Sequence, residues 1–117
     1  MKHLSGDLIC AALKSRWGCN YGGSTSNIAT EITDKKNNVL LPNYETAPRD
    51  HVYRFTIPGY DGETADWLTL IDFVTPKYVE KGAELRIWYN EDLRDYGEPG
   101  NQGRHCVDVY AKIGDGF

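Results

Sequence analysis

Between Asn90 and Arg104 the chain gathers Asn90, Glu91, Asp92, Asp95, Glu98 and Asn101. Their carboxylate and amide oxygens are the hard ligands that calcium takes, about six to eight at a time. Asn90, Asp92 and Asp95 are the first candidates for such an ion, and Ca2+ is the one cofactor this segment suggests. The spacing is not that of an EF-hand, because D-x-D-x-D-G is absent. Gly97, Pro99, Gly100 and Gly103 equally describe a solvated acidic loop built from turns.

The same segment suits a sugar. Hydroxyls are read by planar polar groups, and the apolar face of a pyranose lies on an aromatic ring. Arg94, Asp95, Tyr96, Asn101 and Arg104 supply the first requirement, with both arginines able to donate paired hydrogen bonds. Trp88, just before the loop, is the candidate platform; burial in a second layer is the competing expectation for it. Asp108 and Tyr110 read most simply as solvent-facing strand residues. Tyr21-Gly-Gly-Ser-Thr-Ser-Asn27 lacks the lysine and spacing of a phosphate-cradling loop and reads as a surface loop, a rim at most.

Catalysis finds less support. His3, His51 and His105 lack a nucleophile motif, and G-x-S-x-G and H-E-x-x-H are both absent. His105 and Cys106 are sequence neighbours, so on a strand they point to opposite faces. Glu91, Asp92 and Asp95 could in principle pair for glycoside hydrolysis. On an exposed loop of a small domain they lack the burial that raises a carboxyl pKa. A non-enzymatic protein is expected.

The elements that must position this loop are strands. In Glu84–Asn90, Leu85, Ile87 and Tyr89 alternate with Glu84, Arg86, Trp88 and Asn90; in 106–113, Val107, Val109, Ala111 and Ile113 alternate with Cys106, Asp108, Tyr110 and Lys112. The first set of each is expected in the core. Residues 51–57 alternate as a strand, with Tyr53, Phe55 and Ile57 on one side. Trp67–Val74 is apolar enough for a buried strand. Residues 28–33 and 38–41 read as a hairpin about Asp34–Asn38. Residues 5–18 read as a strand, with a helix capped by Ser5 as the alternative. Pro42 and Pro48 bracket a long polar connection. About seven or eight short strands between Gly, Pro, Asn and Asp turns predict an all-β fold: one antiparallel β-sandwich or jelly-roll domain over residues 1–117.

Composition narrows the partners. The chain has 117 residues, a net charge of −4 and no basic stripe. Nucleic-acid binding, which needs clustered cations to neutralise phosphates, is disfavoured. No apolar run approaches a membrane span. No leader is visible at Met1-Lys-His3, and there is no N-glycosylation sequon. Eight tyrosines and three tryptophans favour a recognition surface.

The three cysteines, Cys10, Cys19 and Cys106, lack zinc-site spacing. Cys106 bridged to Cys10 or Cys19 would tie the chain ends together and contribute roughly 3–5 kcal/mol on the chain-entropy model. The alternative is a reduced intracellular protein with three buried thiols.

Two resemblances follow. The C-terminal third, with its polar loop and Cys106-Val-Asp-Val-Tyr110, resembles secreted jelly-roll carbohydrate-binding or lectin-like modules. That likeness implies a secreted, extracellular protein that binds glycans through end loops, in some members with calcium, and that gains strength as a homo-oligomer. Lys81-Gly-Ala-Glu-Leu-Arg-Ile-Trp-Tyr89 resembles the G-E-E-L-x-V-x-Y segment of SET-domain methyltransferases, which implies an active-site role for Tyr89. The Asn-His-Ser/Cys segment of that family is missing here. An adhesion module with a protein partner is the further alternative. Thiol titration under denaturing conditions separates the redox expectations: one reactive thiol accompanies a disulfide, three accompany the reduced protein.

Overall fold

A computed structural model describes residues 1–10, 12–19, 25–45, 47–50, 52–70, 78–94 and 100–112. Among them six strands and one helical turn follow in the order β1 (Lys2–Cys10), β2 (Leu13–Ser15), β3 (Thr30–Asp34), β4 (Val39–Leu41), β5 (Leu85–Tyr89), α1 (Asn90–Leu93) and β6 (Asn101–Asp108). They form two antiparallel three-stranded sheets, ordered β2-β1-β6 and β4-β3-β5. The all-β sandwich class expected from the alternation is the fold observed.

The β3–β4 hairpin forms where the turn residues place it. Asp34 accepts hydrogen bonds from the backbone N–H of Lys36 and Asn38 at 2.8 and 3.0 Å, the self-capping that makes aspartate a turn residue. The expected strand at 51–57 is reduced to one bridge between Ile28 and Phe55. The cause is local: Tyr53 has a φ of 66°, and the Asp50 carboxylate gathers the N–H groups of Val52 and Arg54, each at 2.9 Å. A side chain that takes backbone donors competes with a ladder. In Trp67–Val74, Trp67 bridges Lys2 and Leu68 is fully buried; residues 71–74 lie outside the described residues, as do His51 and Ile113.

The last strand begins earlier than its alternation suggests, inside the stretch read as loop. Gly103 is a mid-strand residue of β6, not a turn. Its φ is +94°, and a Cβ there would stand 2.4 Å from the Asp7 carbonyl oxygen. Across the pair, a Cβ on Gly6 would stand 2.0 Å from the Arg104 carbonyl oxygen. Two glycines thus let β1 and β6 lie close over the full register from Lys2↔Asp108 to Cys10↔Asn101, with an irregularity between His3 and Ser5.

The cysteine expectation is corrected. Cys10 bonds to Cys19, and Cys106 is a free, exposed thiol. In the β1–β6 register Cys106 stands opposite Ser5, while Cys10 stands opposite Asn101. Cys106 and Cys10 are therefore separated along the ladder by four or more residues, well beyond a disulfide's reach.

The apolar core gathers Met1, Trp17, Ile28, Ile32, Phe55 and Leu68. The Trp17 carbonyl accepts the Ala29 N–H at 2.8 Å and the Thr30 hydroxyl at 2.9 Å, which ties the segment after β2 to the start of β3. The face assignment of β5 is the larger departure. Leu85 and Ile87, expected in the core, are 46% and 44% exposed. Their strand neighbours Trp88 and Asn90 share a face with Glu31, paired to Trp88 across β3, and Glu31 and Asn90 are fully buried. Val107 is half-buried and Val109 exposed.

The imidazoles of His3 and His105 meet at 2.8 Å between Nδ1 and Nε2, and the His105 ring stands edge-on to Trp17. Burial, then the charges of His3 and Arg16, push the His105 pKa down to about 4, with Asp7 opposing. The folded chain thus holds His105 neutral in a window where the unfolded chain, near 6.5, takes up a proton. Stability from this group is complete above 6.5 and is lost as pH falls toward 4. Thermal melts across that window should show a steeper acid loss of Tm in the wild type than in His105→Gln; equal slopes would contradict the assignment.

Candidate functional site

The connection from β5 to β6 leaves one sheet and enters the other, and its two ends meet at the disulfide. Asn101 is opposite Cys10, and the Glu91 carboxylate lies within 4.8 Å of the Cys10 and Cys19 sulfurs. Sulfurs in a disulfide are not free thiolate ligands, so this cluster is an anchor and not a metal site. With a sequence separation of 9, the crosslink contributes about 2.6 kcal/mol on the chain-entropy model.

Beneath the outgoing end lies a buried charged layer. The Glu31 carboxylate accepts Arg49 Nε at 3.1 Å and Nη2 at 2.6 Å. Arg49 also donates to the carbonyls of Ala47 and, at 2.9 Å, Pro42. Glu91 accepts from Arg54 at 3.1 Å. Both pairs are almost wholly removed from water. The Arg49 guanidinium is 4.3 Å from the ring centroid of Tyr44 and 4.5 Å from that of Phe55, so its flat faces are covered by aromatics while its edge makes the ion pair.

Arg94 stands at the top of this stack. Its guanidinium donates to the Tyr44 hydroxyl and lies 5.7 Å from the rings of Tyr44 and Tyr53. It is exposed, positioned by neighbours, and keeps further N–H donors for a ligand. Asn90 faces the other way: it is fully buried, and its side chain donates to the Tyr53 carbonyl. Asp92 is exposed. Two residues apart on a helical turn, Asn90 and Asp92 point away from each other, so this turn does not bring them to one cation. Asp95 and Tyr96 lie outside the described residues.

Asn101 and Arg104 do not converge either. Three positions apart on a strand, they stand on opposite faces, with Arg104 exposed opposite Asp7. Trp88 is half-buried, and its indole N–H is enclosed without a hydrogen-bond partner among the described residues. It lines a cleft of about 200 Å³ between the sheets, together with Trp17, Ile87, Tyr89, His105 and Val107. Burial, then the charge of Glu91, pushes the Tyr89 pKa up, so its phenol stays protonated.

Sequence reasoning missed Tyr44, Glu31, Arg49 and Arg54. Glu31 sits in an ordinary alternating strand, and the others lie in stretches read as connection or strand. An aromatic and an arginine between Pro42 and Arg54 were the only signals, and nothing local ties them to a residue on β3. Glu31→Ala should destabilise the chain by about 3–5 kcal/mol, because it leaves Arg49 buried and unpaired. Urea unfolding checks this; the joint change Glu31→Met with Arg49→Met should recover much of the loss.

No family model matches the chain, and no curated protein matches it. Among solved structures the fold is similar to that of AJLec from the sea anemone Anthopleura japonica, a lectin. The TM-score is 0.76 at 32% sequence identity, over 92% of this chain and 73% of that one.

Proposed function

Because the chain belongs to the family of the sea-anemone lectin AJLec, we propose that it is a secreted carbohydrate-binding protein that reads glycans through the loop joining β5 to β6. The observation that carries the reading within this chain is Arg94: an exposed guanidinium, stacked and hydrogen-bonded from below, above a rigid buried layer. Such a group can donate two parallel hydrogen bonds to neighbouring hydroxyls at small entropic cost. Asp95, Tyr96 and Asn101 are the further loop contacts, with Arg104 and Trp88 at its margins. The Cys10–Cys19 bond suits an oxidising, extracellular setting.

The reading extends to calcium. Asp92 and Asp95 offer carboxylate oxygens to a hard cation, while Asn90 supports the turn from inside. One such site binds weakly, and a homo-oligomer would strengthen it by multivalency.

Exposed Leu85 and Ile87, with Tyr78 and Val79 also exposed, favour a second reading, an adhesion module with a protein partner. A printed glycan array, run with and without EDTA, separates the two. Wild type should bind a defined glycan set and lose signal in chelator. Arg94→Ala should weaken binding about 10- to 100-fold, the loss of a charge-assisted hydrogen bond, with Tm unchanged. Absence of binding to every glycan would overturn the lectin reading and leave the adhesion module.

A further inference from the structure

The exposed tryptophan of this chain is not Trp88 but Trp67. Trp67 is 49% exposed, and Tyr110 nearby is 63% exposed. Their ring centroids are 5.6 Å apart at 41°, so the pair forms a shallow open V. The backbone under Trp67 is pinned. His3 N–H donates to the Asp66 carbonyl at 2.8 Å, and Leu68 N–H to the Met1 carbonyl at 2.9 Å. The Tyr60 hydroxyl donates to the Trp67 carbonyl at 2.7 Å. Leu68, the next residue, is fully buried. An aromatic ring held out from a fixed backbone binds with little ordering cost.

The polar groups beside it have both signs. Trp67 bridges Lys2, and Lys2 is in register with Asp108, so the three stand side by side on one face. The Lys2 ammonium lies 5.8 Å from the Trp67 ring centroid. Tyr110 follows Asp108 by two positions.

We propose that Trp67, Tyr110, Lys2 and Asp108 form a second carbohydrate subsite, for a neutral terminal hexopyranose. The C–H face of the sugar lies on the indole, Asp108 accepts from one hydroxyl, and Lys2 donates to another. The opposed charges cancel, which favours a neutral sugar over an acidic one. Asp108 is at the far end of β6 from Asn101, about 23 Å along the strand. The two subsites are therefore separate, and a single chain would crosslink glycans. This proposal rests on the carbohydrate-binding reading.

The test uses D-glucose, D-galactose, D-mannose and N-acetyl-D-glucosamine at millimolar concentration, with tryptophan emission and acrylamide quenching as readouts. Trp17 is fully buried and the Trp88 N–H enclosed, so quenching reports chiefly on Trp67. At least one sugar should shield the emission. Tyr110→Ala should weaken that effect about tenfold, and Trp67→Ala should abolish it, while Arg94→Ala leaves it unchanged. Circular dichroism verifies that each variant folds; Tyr110 lies beyond the end of β6, so its variant keeps the test open if Trp67→Ala fails to fold. Shielding by none of the four sugars, or shielding unaltered in Tyr110→Ala, would overturn the subsite. The loop reading fails separately, if Arg94→Ala leaves array binding intact.

Discussion

A carboxylate with no access to water sits in the middle of a sheet, and much of the structure around it follows from that. Glu31 on β3 is fully buried. An isolated buried charge would cost many kcal/mol, so it persists only with a partner of opposite charge and good geometry. Arg49 is that partner, and it must be brought from a connection with no helix or strand among its described residues. The segment from Pro42 to Arg54 is therefore folded down onto the β4-β3-β5 sheet, with Tyr44 and Phe55 closing over the guanidinium. Two residues past the end of β5, the Arg54–Glu91 pair repeats the arrangement.

Such a layer does little for net stability, since two desolvated ions roughly offset their own attraction. What it contributes is a single arrangement. An apolar layer would hold a loop by packing alone; here Arg49 donates through two nitrogens to one oxygen of Glu31 and also to the carbonyls of Ala47 and Pro42, which ties its connection to the sheet at defined points. That constraint reaches the surface at Arg94 through Tyr44 and Tyr53. From the other sheet the Cys10–Cys19 bond holds the incoming end of the loop, because Cys10 is opposite Asn101 and its sulfur lies near Glu91. The loop that joins the sheets is thus held at its outgoing end by the Arg54–Glu91 ion pair and at its incoming end by ladder pairing of Asn101 with the disulfide-bonded Cys10.

How much was legible in the residues can be seen strand by strand. The β3–β4 hairpin was legible because Asp34 and the asparagines after it encode a turn through their own side chains. The strand over Leu85–Tyr89 was legible from its alternation. Which of its faces is buried was not. Leu85 and Ile87 look like core, and hydrophobicity alone makes them so, but burial depends on what arrives from elsewhere in the chain. Here that was an arginine, and it came to the polar face. The disulfide partner was likewise undetermined, since three cysteines in sequence carry no register; the β1–β6 ladder set it by moving Cys106 out of reach.

The amino-acid sequence by itself determined the class of fold, the strand at Leu85–Tyr89, the hairpin and the general region of the candidate loop. These rest on period-two alternation and turn chemistry, which act over a few residues. Only the tertiary structure decided that Trp88 lines a cleft while Trp67 stands in solvent, that Gly103 is a strand residue, and that Arg94 rests on Tyr44 some fifty positions away. Those outcomes depend on sheet register and on the pairing of buried charges, and both are set by contacts between distant parts of the chain.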